Sequence, residues 1–279
     1  MTRKAGVVGW PVTHSLSPVL HGYWLKEHGI DGSYEKIAAK PEEFAAVIDR
    51  LRKDGFTGVN ITVPNKEAAF ALAQNRGHAA IEAGAANLLV FRAEGIEADN
   101  TDTFGLVESL KAGVSLAGKS VVLLGAGGAA RGTVLALAQL GVSTIHILNR
   151  NIARAQALAQ ALQPNVKARL APGALQDWEA FAGDAALLLN STSAGMAGNA
   201  PLELDLSALN KTAAVCDIVY NPLQTQLLKD AAARGHKTID GLGMLMHQAV
   251  PSFEAFFGKR PEVTPGLRAE LERVLRERQ

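Results

Sequence analysis

The sequence predicts an α/β fold. Two observations carry that expectation: short β-branched runs alternate with longer helical stretches along most of the chain, and one run passes through a glycine-rich turn straight into a helix. Strand and helix in alternation imply a largely parallel sheet with helices on both faces.

The first strand is read at Gly6-Val7-Val8-Gly9, with a helix from Pro18 after it, and the next at Gly58 to Val63, with a helix from Asn65. A helix starting near Thr103 ends at Lys111-Ala112-Gly113, and Leu116-Ala117-Gly118-Lys119 reads as the turn before a new strand. Further strands are expected at Val121 to Leu124, Thr144 to Leu148, Ala185 to Leu189 and Ala213 to Val219. From Gly241 the pattern turns helical, through Leu242 to Phe257 and again through Leu267 to Leu275. A length of 279 residues suits two domains, and the second is placed from residue 103.

Composition narrows the function classes. Hydrophobic residues at 48% and charged residues at 20% fit a globular chain with a sizeable core. Lys plus Arg at 28 against Asp plus Glu at 27 leaves no net field to attract nucleic acid or an anionic membrane, so neither is expected as a partner. Cys216 is the only cysteine, which excludes an intramolecular disulfide and a zinc site of several thiolates, and it fits a reducing, cytoplasmic setting. Arg3 and Lys4 could open a signal peptide, but none is expected, because Pro11 and His14 break the apolar run behind them. The apolar region Val121 to Val142 carries Arg131 and several glycines, which argues against a membrane span. The histidines show no ligand spacing, so no metal is expected.

The segment Val121-Val122-Leu123-Leu124-Gly125-Ala126-Gly127-Gly128-Ala129-Ala130-Arg131 is a buried strand, a glycine turn and the start of a helix. In that order Gly125 permits the tight turn, Gly127 lets the backbone approach a pyrophosphate at the helix N-terminus, and Ala130 fills the third small position. The expectation is a Rossmann-like dinucleotide site that includes Ala126, Gly128 and Ala129. NAD would call for an acidic residue roughly 20 positions on, at the end of the next strand. That strand ends instead in Asn149-Arg150-Asn151, with Arg154 one turn later, which favours the 2′-phosphate of NADP.

Polar clusters precede this cradle. In His14-Ser15-Leu16-Ser17-Pro18, Ser17 is expected to cap the helix that begins at Pro18, which leaves Ser15 over; two hydroxyls in a loop after a strand could bind a carboxylate. In Gly58-Val59-Asn60-Ile61-Thr62-Val63-Pro64-Asn65-Lys66, Asn60 and Thr62 share one strand face as candidate substrate contacts, and Val59, Ile61 and Val63 take the other. Lys66 then falls in the first turn of a helix, where the macrodipole disfavours an ammonium. Taken alone, a solvated surface lysine is the commoner reading. Asp99-Asn100-Thr101-Asp102-Thr103 and Asn87 complete the set, with Asp102 also a candidate helix cap.

These segments, in this order, resemble the shikimate dehydrogenase family: S-L-S-P, N-I-T-V-P-x-K, G-A-x-N, D-N-T-D, the G-A-G-G-A-A-R cradle and the N-R pair. Asn190-Ser191-Thr192 with Gly195-Met196, Asp217 to Pro222, and Gly241 to Leu245 with Gln248 extend the likeness over nearly the whole chain. The resemblance implies a mixed-sheet substrate domain over 1–102, an NADP domain over 103–246, and final helices from 247 to 279 that return to the first domain. It implies reduction of 3-dehydroshikimate to shikimate, on the route to chorismate and the aromatic amino acids. Substrate contacts would come from Ser15, Ser17, Thr62, Asn87, Asp102, Tyr220 and Gln248, and Lys66 and Asp102 would be the catalytic pair. Ile218 and Gly241 would line the nicotinamide, with Asn190, Thr192 and Met244 nearby. His78 departs from the family, many of whose members have an acidic residue there.

Ketone reduction needs a hydride at carbon and a proton at oxygen. Lys66 is expected to transfer the proton and Asp102 to orient it, in a monomer or homodimer. A quinate/shikimate dehydrogenase is the nearest rival reading. A sensor of NADP or a shikimate-like ligand is the rival from another class, and it would have no need of the Lys66–Asp102 pair.

Overall fold

The structure is a computed structural model, and it describes residues 2–278. The chain divides into two compact units, one of Met1–Asp102 with Leu245–Gln279 and one of Thr103–Met244.

In the first unit β1 (Arg3–Gly9), α1 (Ser17–Glu27), β2 (Gly32–Ala38), α2 (Phe44–Lys53), β3 (Phe56–Ile61) and α3 (Lys66–Leu72) follow in order. Then come β4 (Asn75–Arg76), α4 (His78–Ala83), β5 (Leu88–Arg92) and β6 (Gly95–Asp99). They build a six-stranded sheet in the order β2-β1-β3-β5-β6-β4. It is mixed because β5 runs antiparallel to both neighbours, β3 and β6. The link from β5 to β6 is too short for a parallel crossover, so a hairpin is the only connection open to it.

β3 stops at Ile61, short of the expected Val63, which is 58% exposed and so does not join the buried face. The chain instead turns there, with the Asn65 amide donating to the Thr62 carbonyl at 3.1 Å. One sheet face buries Val8, Val59, Ile61 and Leu89 against Phe44, Ile48 and Leu51 of α2, which presents them at helical spacing.

The second unit begins in α5 (Asp102–Lys111), continues through β7 (Ser120–Leu124), α6 (Gly128–Gln139), β8 (Thr144–Asn149), α7 (Ile152–Leu162) and β9 (Arg169–Ala174), then α8 (Glu179–Ala182) and β10 (Ala185–Asn190), and closes with β11 (Ala214–Asp217), α9 (Gln226–Ala233) and β12 (Lys237–Ile239). Its sheet is parallel throughout, in the order β12-β11-β10-β7-β8-β9. Counted within the unit, that is the doubly wound order, which reverses between β7 and β10. Both faces are covered. Val121 and Leu123 pack with Val134, Leu137 and Leu158, whereas Val122 and Leu124 pack with Trp178, Val215 and Leu227.

α10 (Leu242–Phe257) passes from the second unit into the first, and α11 (Pro265–Glu277) follows. Within the first unit α10 brings Phe253, Phe256 and Phe257 to a cluster with Trp24, Tyr34 and His21. The His21 ring lies flat on Tyr34, with centroids 3.9 Å apart and planes 5° from parallel. Neither imidazole nitrogen has a hydrogen-bond partner. Burial in this apolar setting lowers the His21 pKa from 6.5 to about 3. Unfolded chain therefore takes up a proton below pH 6.5 that the folded state excludes, and stability falls as pH drops from 6.5 toward 3. Relative to a His21→Phe variant, wild type is expected to lose up to about 1.4 kcal/mol per pH unit across that range. Urea titrations of both proteins at pH 7 and pH 5 check this, and a constant difference between them would contradict it.

Candidate active site

In the first unit, Lys66 is the first residue of α3 and Asp102 the first of α5. Lys66 Nζ lies 2.5 Å from Asp102 Oδ2, with the side chains 12% and 5% exposed. The ammonium that the α3 dipole disfavours is thus compensated by a carboxylate held in place on its other oxygen. Asn87 Nδ2 donates to Asp102 Oδ1 at 2.8 Å and to Thr101 Oγ1 at 2.9 Å. Asp102 does not serve as the cap of α5. It is the first residue of the helix, and its amide donates to Asn100 Oδ1 at 3.0 Å. Gln248, on α10, places Oε1 3.4 Å from both Asn87 Nδ2 and Thr101 Oγ1.

Ser15 and Ser17 stand at the end of the loop after β1, but their expected parts are exchanged. Leu16 occupies the N-cap of α1 and Ser17 is already helical, while Ser15 Oγ accepts from the Ser17 amide at 3.2 Å. The loop is also tied by cations: Lys36 Nζ donates to the Thr13 carbonyl, and Arg278 Nη1 donates to that of His14 at 3.2 Å. Thr62 is half-buried just beyond β3. Asn60 is 6% exposed, and both of its amide hydrogens are committed within the protein, to the Asn87 carbonyl and to Ser252 Oγ. It is therefore foremost a brace beneath Asn87. His78 opens α4, with an 86% exposed side chain 3.4 Å from Glu82.

In the second unit β7 leads through Gly125 and Ala126 to Gly127, which is the N-cap of α6; Gly128 and Ala129 form its first turn. Gly125 has φ +109°, and a Cβ there would stand 2.8 Å from Ser191 Oγ, so glycine is required. A Cβ on Gly127 would meet no protein atom within 4 Å, which leaves open space over the helix N-terminus. Beside the turn is a cleft of about 520 Å³, whose walls include Gly125, Asn149, Arg150, Asn151, Arg154 and Thr192. Asn151 caps α7 by accepting from the Ala153 amide at 3.0 Å, and Asn149 Nδ2 donates to the Asn151 carbonyl at 2.9 Å. That ordering leaves Arg150 and Arg154 exposed on the same rim.

Asn190 does not fit its expected place as a cofactor contact. It is 0% exposed, and its Oδ1 accepts from the Thr192 amide and hydroxyl at 3.0 and 2.7 Å. Its Nδ2 donates to Asp217 Oδ1 at 2.9 Å. Asn190 acts through Thr192, the residue that reaches the cleft. Asp217, at the end of β11, was not among the candidates; burial pushes its carboxyl up to about 6, against three donors that hold it down. Met244 is 8% exposed and packs, like Ile218, into the core beside β7 rather than standing open. Gly241 allows a close backbone approach, since a Cβ would lie 2.2 Å from the Ile218 carbonyl oxygen. Tyr220 is half-buried just past β11.

Among the described residues, no group of His, Cys, Asp and Glu could hold a metal ion, and no helix is long and apolar enough to cross a membrane.

The family model described as shikimate dehydrogenase substrate binding domain matches residues 7–89, and that described as shikimate / quinate 5-dehydrogenase matches residues 107–198. The shikimate dehydrogenase (NADP(+)) of Mesorhizobium japonicum is 50% identical over 271 residues, covering 96% of this chain and 95% of the relative. The chain belongs to the shikimate dehydrogenase family. Among solved structures, shikimate 5-dehydrogenase from Thermus thermophilus in complex with NADP(H) and shikimate aligns with TM-score 0.85 at 34% identity, over 99% of both chains. Quinate dehydrogenase from Corynebacterium glutamicum in complex with NAD aligns with TM-score 0.87 at 30% identity, over 99% of this chain and 99% of the other. As in its shikimate dehydrogenase relatives, a mixed-sheet substrate domain is joined to a Rossmann-like NADP domain.

Proposed function

We propose that this member of the family catalyses the reversible, NADP-dependent reduction of 3-dehydroshikimate to shikimate, on the route to chorismate and the aromatic amino acids. The observation that carries the reading is the Lys66–Asp102 pair, 2.5 Å apart and largely buried, with Asn87 fixing the second carboxylate oxygen. The unit of Met1–Asp102 and Leu245–Gln279 binds the substrate, and the unit of Thr103–Met244 binds NADP.

Bound NADPH supplies the hydride for the ketone carbon. Lys66 donates a proton to the ketone oxygen as charge builds there, and Asp102 keeps the ammonium oriented and compensated. In the oxidative direction the same amine accepts the hydroxyl proton. Ser15 and Ser17 bind the substrate carboxylate, while Thr62, Asn87 and Gln248 take its hydroxyls. These are the contacts that suit a small polyol acid.

The dinucleotide cradle fits its ligand by what it leaves empty. The α6 N-terminus and the open space over Gly127 suit the pyrophosphate. Asn149, Arg150, Asn151 and Arg154 suit the 2′-phosphate and adenine, and Thr192 lines the same cleft. Ala126, Gly128 and Ala129 supply turn backbone, and Ile218, Gly241 and Met244 shape the nicotinamide end. A Gly127→Ala variant is expected to keep its stability within about 1 kcal/mol, yet to weaken NADPH binding at least about tenfold, because the methyl stands where the phosphate approaches. Thermal melting and fluorescence titration with NADPH read the two effects separately. Unchanged affinity would show that the pyrophosphate lies elsewhere.

Two observations favour the quinate reading: the combined description of the second family model, and the full-length likeness to the quinate dehydrogenase of Corynebacterium glutamicum. Ser17 and the Asn149-Arg150 strand end weigh for shikimate and NADP. Rates of nicotinamide reduction with shikimate or quinate, each with NADP or NAD, decide between the two. We expect shikimate to be preferred, and NADP to exceed NAD at least about tenfold in kcat/KM, the worth of one charge-assisted contact. Equal constants for both cofactors would refute the role given to Arg150. We place the reaction in the cytoplasm, a setting that the free, buried thiol of Cys216 suits.

A further inference from the structure

Asn87, from which Asp102 hangs, is itself held from beneath. Asn60 Nδ2 donates to the Asn87 carbonyl at 3.0 Å and to Ser252 Oγ at 2.8 Å, while Asn60 Oδ1 accepts from the Tyr34 hydroxyl at 2.7 Å. Tyr34 lies on β2, Asn60 on β3 and Ser252 on α10, all in the same unit. They are 8%, 6% and 0% exposed.

The direction of this amide is set by chemistry. The Asn87 carbonyl can only accept, so the Asn60 NH2 group must face it and Oδ1 must face Tyr34. Ser252 passes its own proton toward the Gln248 carbonyl, 3.5 Å away, and Gln248 Oε1 returns to Asn87 Nδ2 at 3.4 Å. The result is a ring of polar contacts, buried at Tyr34, Asn60 and Ser252 and part-buried where Gln248 closes it, set beside the aromatic cluster of His21, Phe253 and Phe256.

Apolar groups of the same shape would serve the core about as well. What the polar ring adds is a single position for Asn87, and through it for the Asp102 carboxylate and Lys66. We infer that Tyr34 and Ser252 are positioning residues for proton transfer, acting through Asn60 on Asn87 and Asp102. The inference rests on the function proposed above.

Tyr34→Phe, Ser252→Ala and the double variant test it, with kcat, both KM values and the melting temperature measured for each. Each single substitution is expected to lower kcat about fivefold, the size of one buried hydrogen bond, while KM for NADP changes by less than about twofold. Because both act through one amide, the double variant should fall little further than the weaker single variant, instead of showing the product of the two effects. A merely structural role would lower the melting temperature and leave kcat of the folded protein within about twofold in all three variants. That outcome, or losses in the double variant that multiply, overturns the inference. Lys66→Ala assayed alongside separates the two layers: if it is inactive while the Tyr34 and Ser252 variants turn over normally, only the positioning role fails, whereas an active Lys66→Ala removes the proton-transfer reading itself.

Discussion

Lys66→Ala is expected to lower kcat for shikimate oxidation at least about a hundredfold while KM for shikimate changes little, as loss of a general acid–base group does. In the proposed mechanism the lysine is one contact among several to the substrate, so binding should survive its loss. The transition state, where the proton moves, should not. Stability should also fall, because the Asp102 side chain, 5% exposed, would lose its counter-charge and keep only Asn87 as a partner. Circular dichroism and NADPH titration establish that the variant is folded before its rate is interpreted. A folded variant with near-normal kcat would remove Lys66 from the chemistry.

The second large effect is expected at the partner. Asp102→Ala leaves the Lys66 ammonium, 12% exposed and at a helix N-terminus, without its counter-charge. Breaking such a pair from one side costs about 3 kcal/mol, and turnover should fall at least about a hundredfold with the orienting group gone. Replacing both residues with apolar ones of similar volume, Lys66→Met with Asp102→Leu, should restore most of that stability, since no unpaired charge remains, and none of the activity. Denaturant unfolding of the three variants gives the answer. If the double variant is as unstable as Asp102→Ala, the loss comes from the hydrogen bond to Asn87 and not from an unpaired charge.

The cradle was legible in the sequence because its glycines answer a backbone demand. Gly125 has a positive φ that side-chain-bearing residues avoid, and no other residue type would fit against Ser191. The alternation of Val121 and Leu123 with Val122 and Leu124 likewise named the two faces of a strand buried on both sides. β2 was passed over because an edge strand carrying Ser33, Glu35 and Lys36 has the composition of a loop. Depth was harder to read than direction. Asn190 and Asn60 both read as ligand contacts in the sequence, yet each is consumed by distant neighbours that sequence spacing does not reveal, Asp217 for one, Tyr34 and Ser252 for the other. A serine inside an apolar helix such as α10 carries no mark of a partner 192 positions away.

In the proposed mechanism the Lys66 amine moves the proton. Adding small primary amines to folded Lys66→Ala, in the presence of shikimate and NADP, tests it most directly. Turnover that rises with free-amine concentration, and varies with amine basicity as general acid–base catalysis requires, is the predicted result. A variant that binds both ligands but gains no turnover from amines of any size or basicity would contradict it.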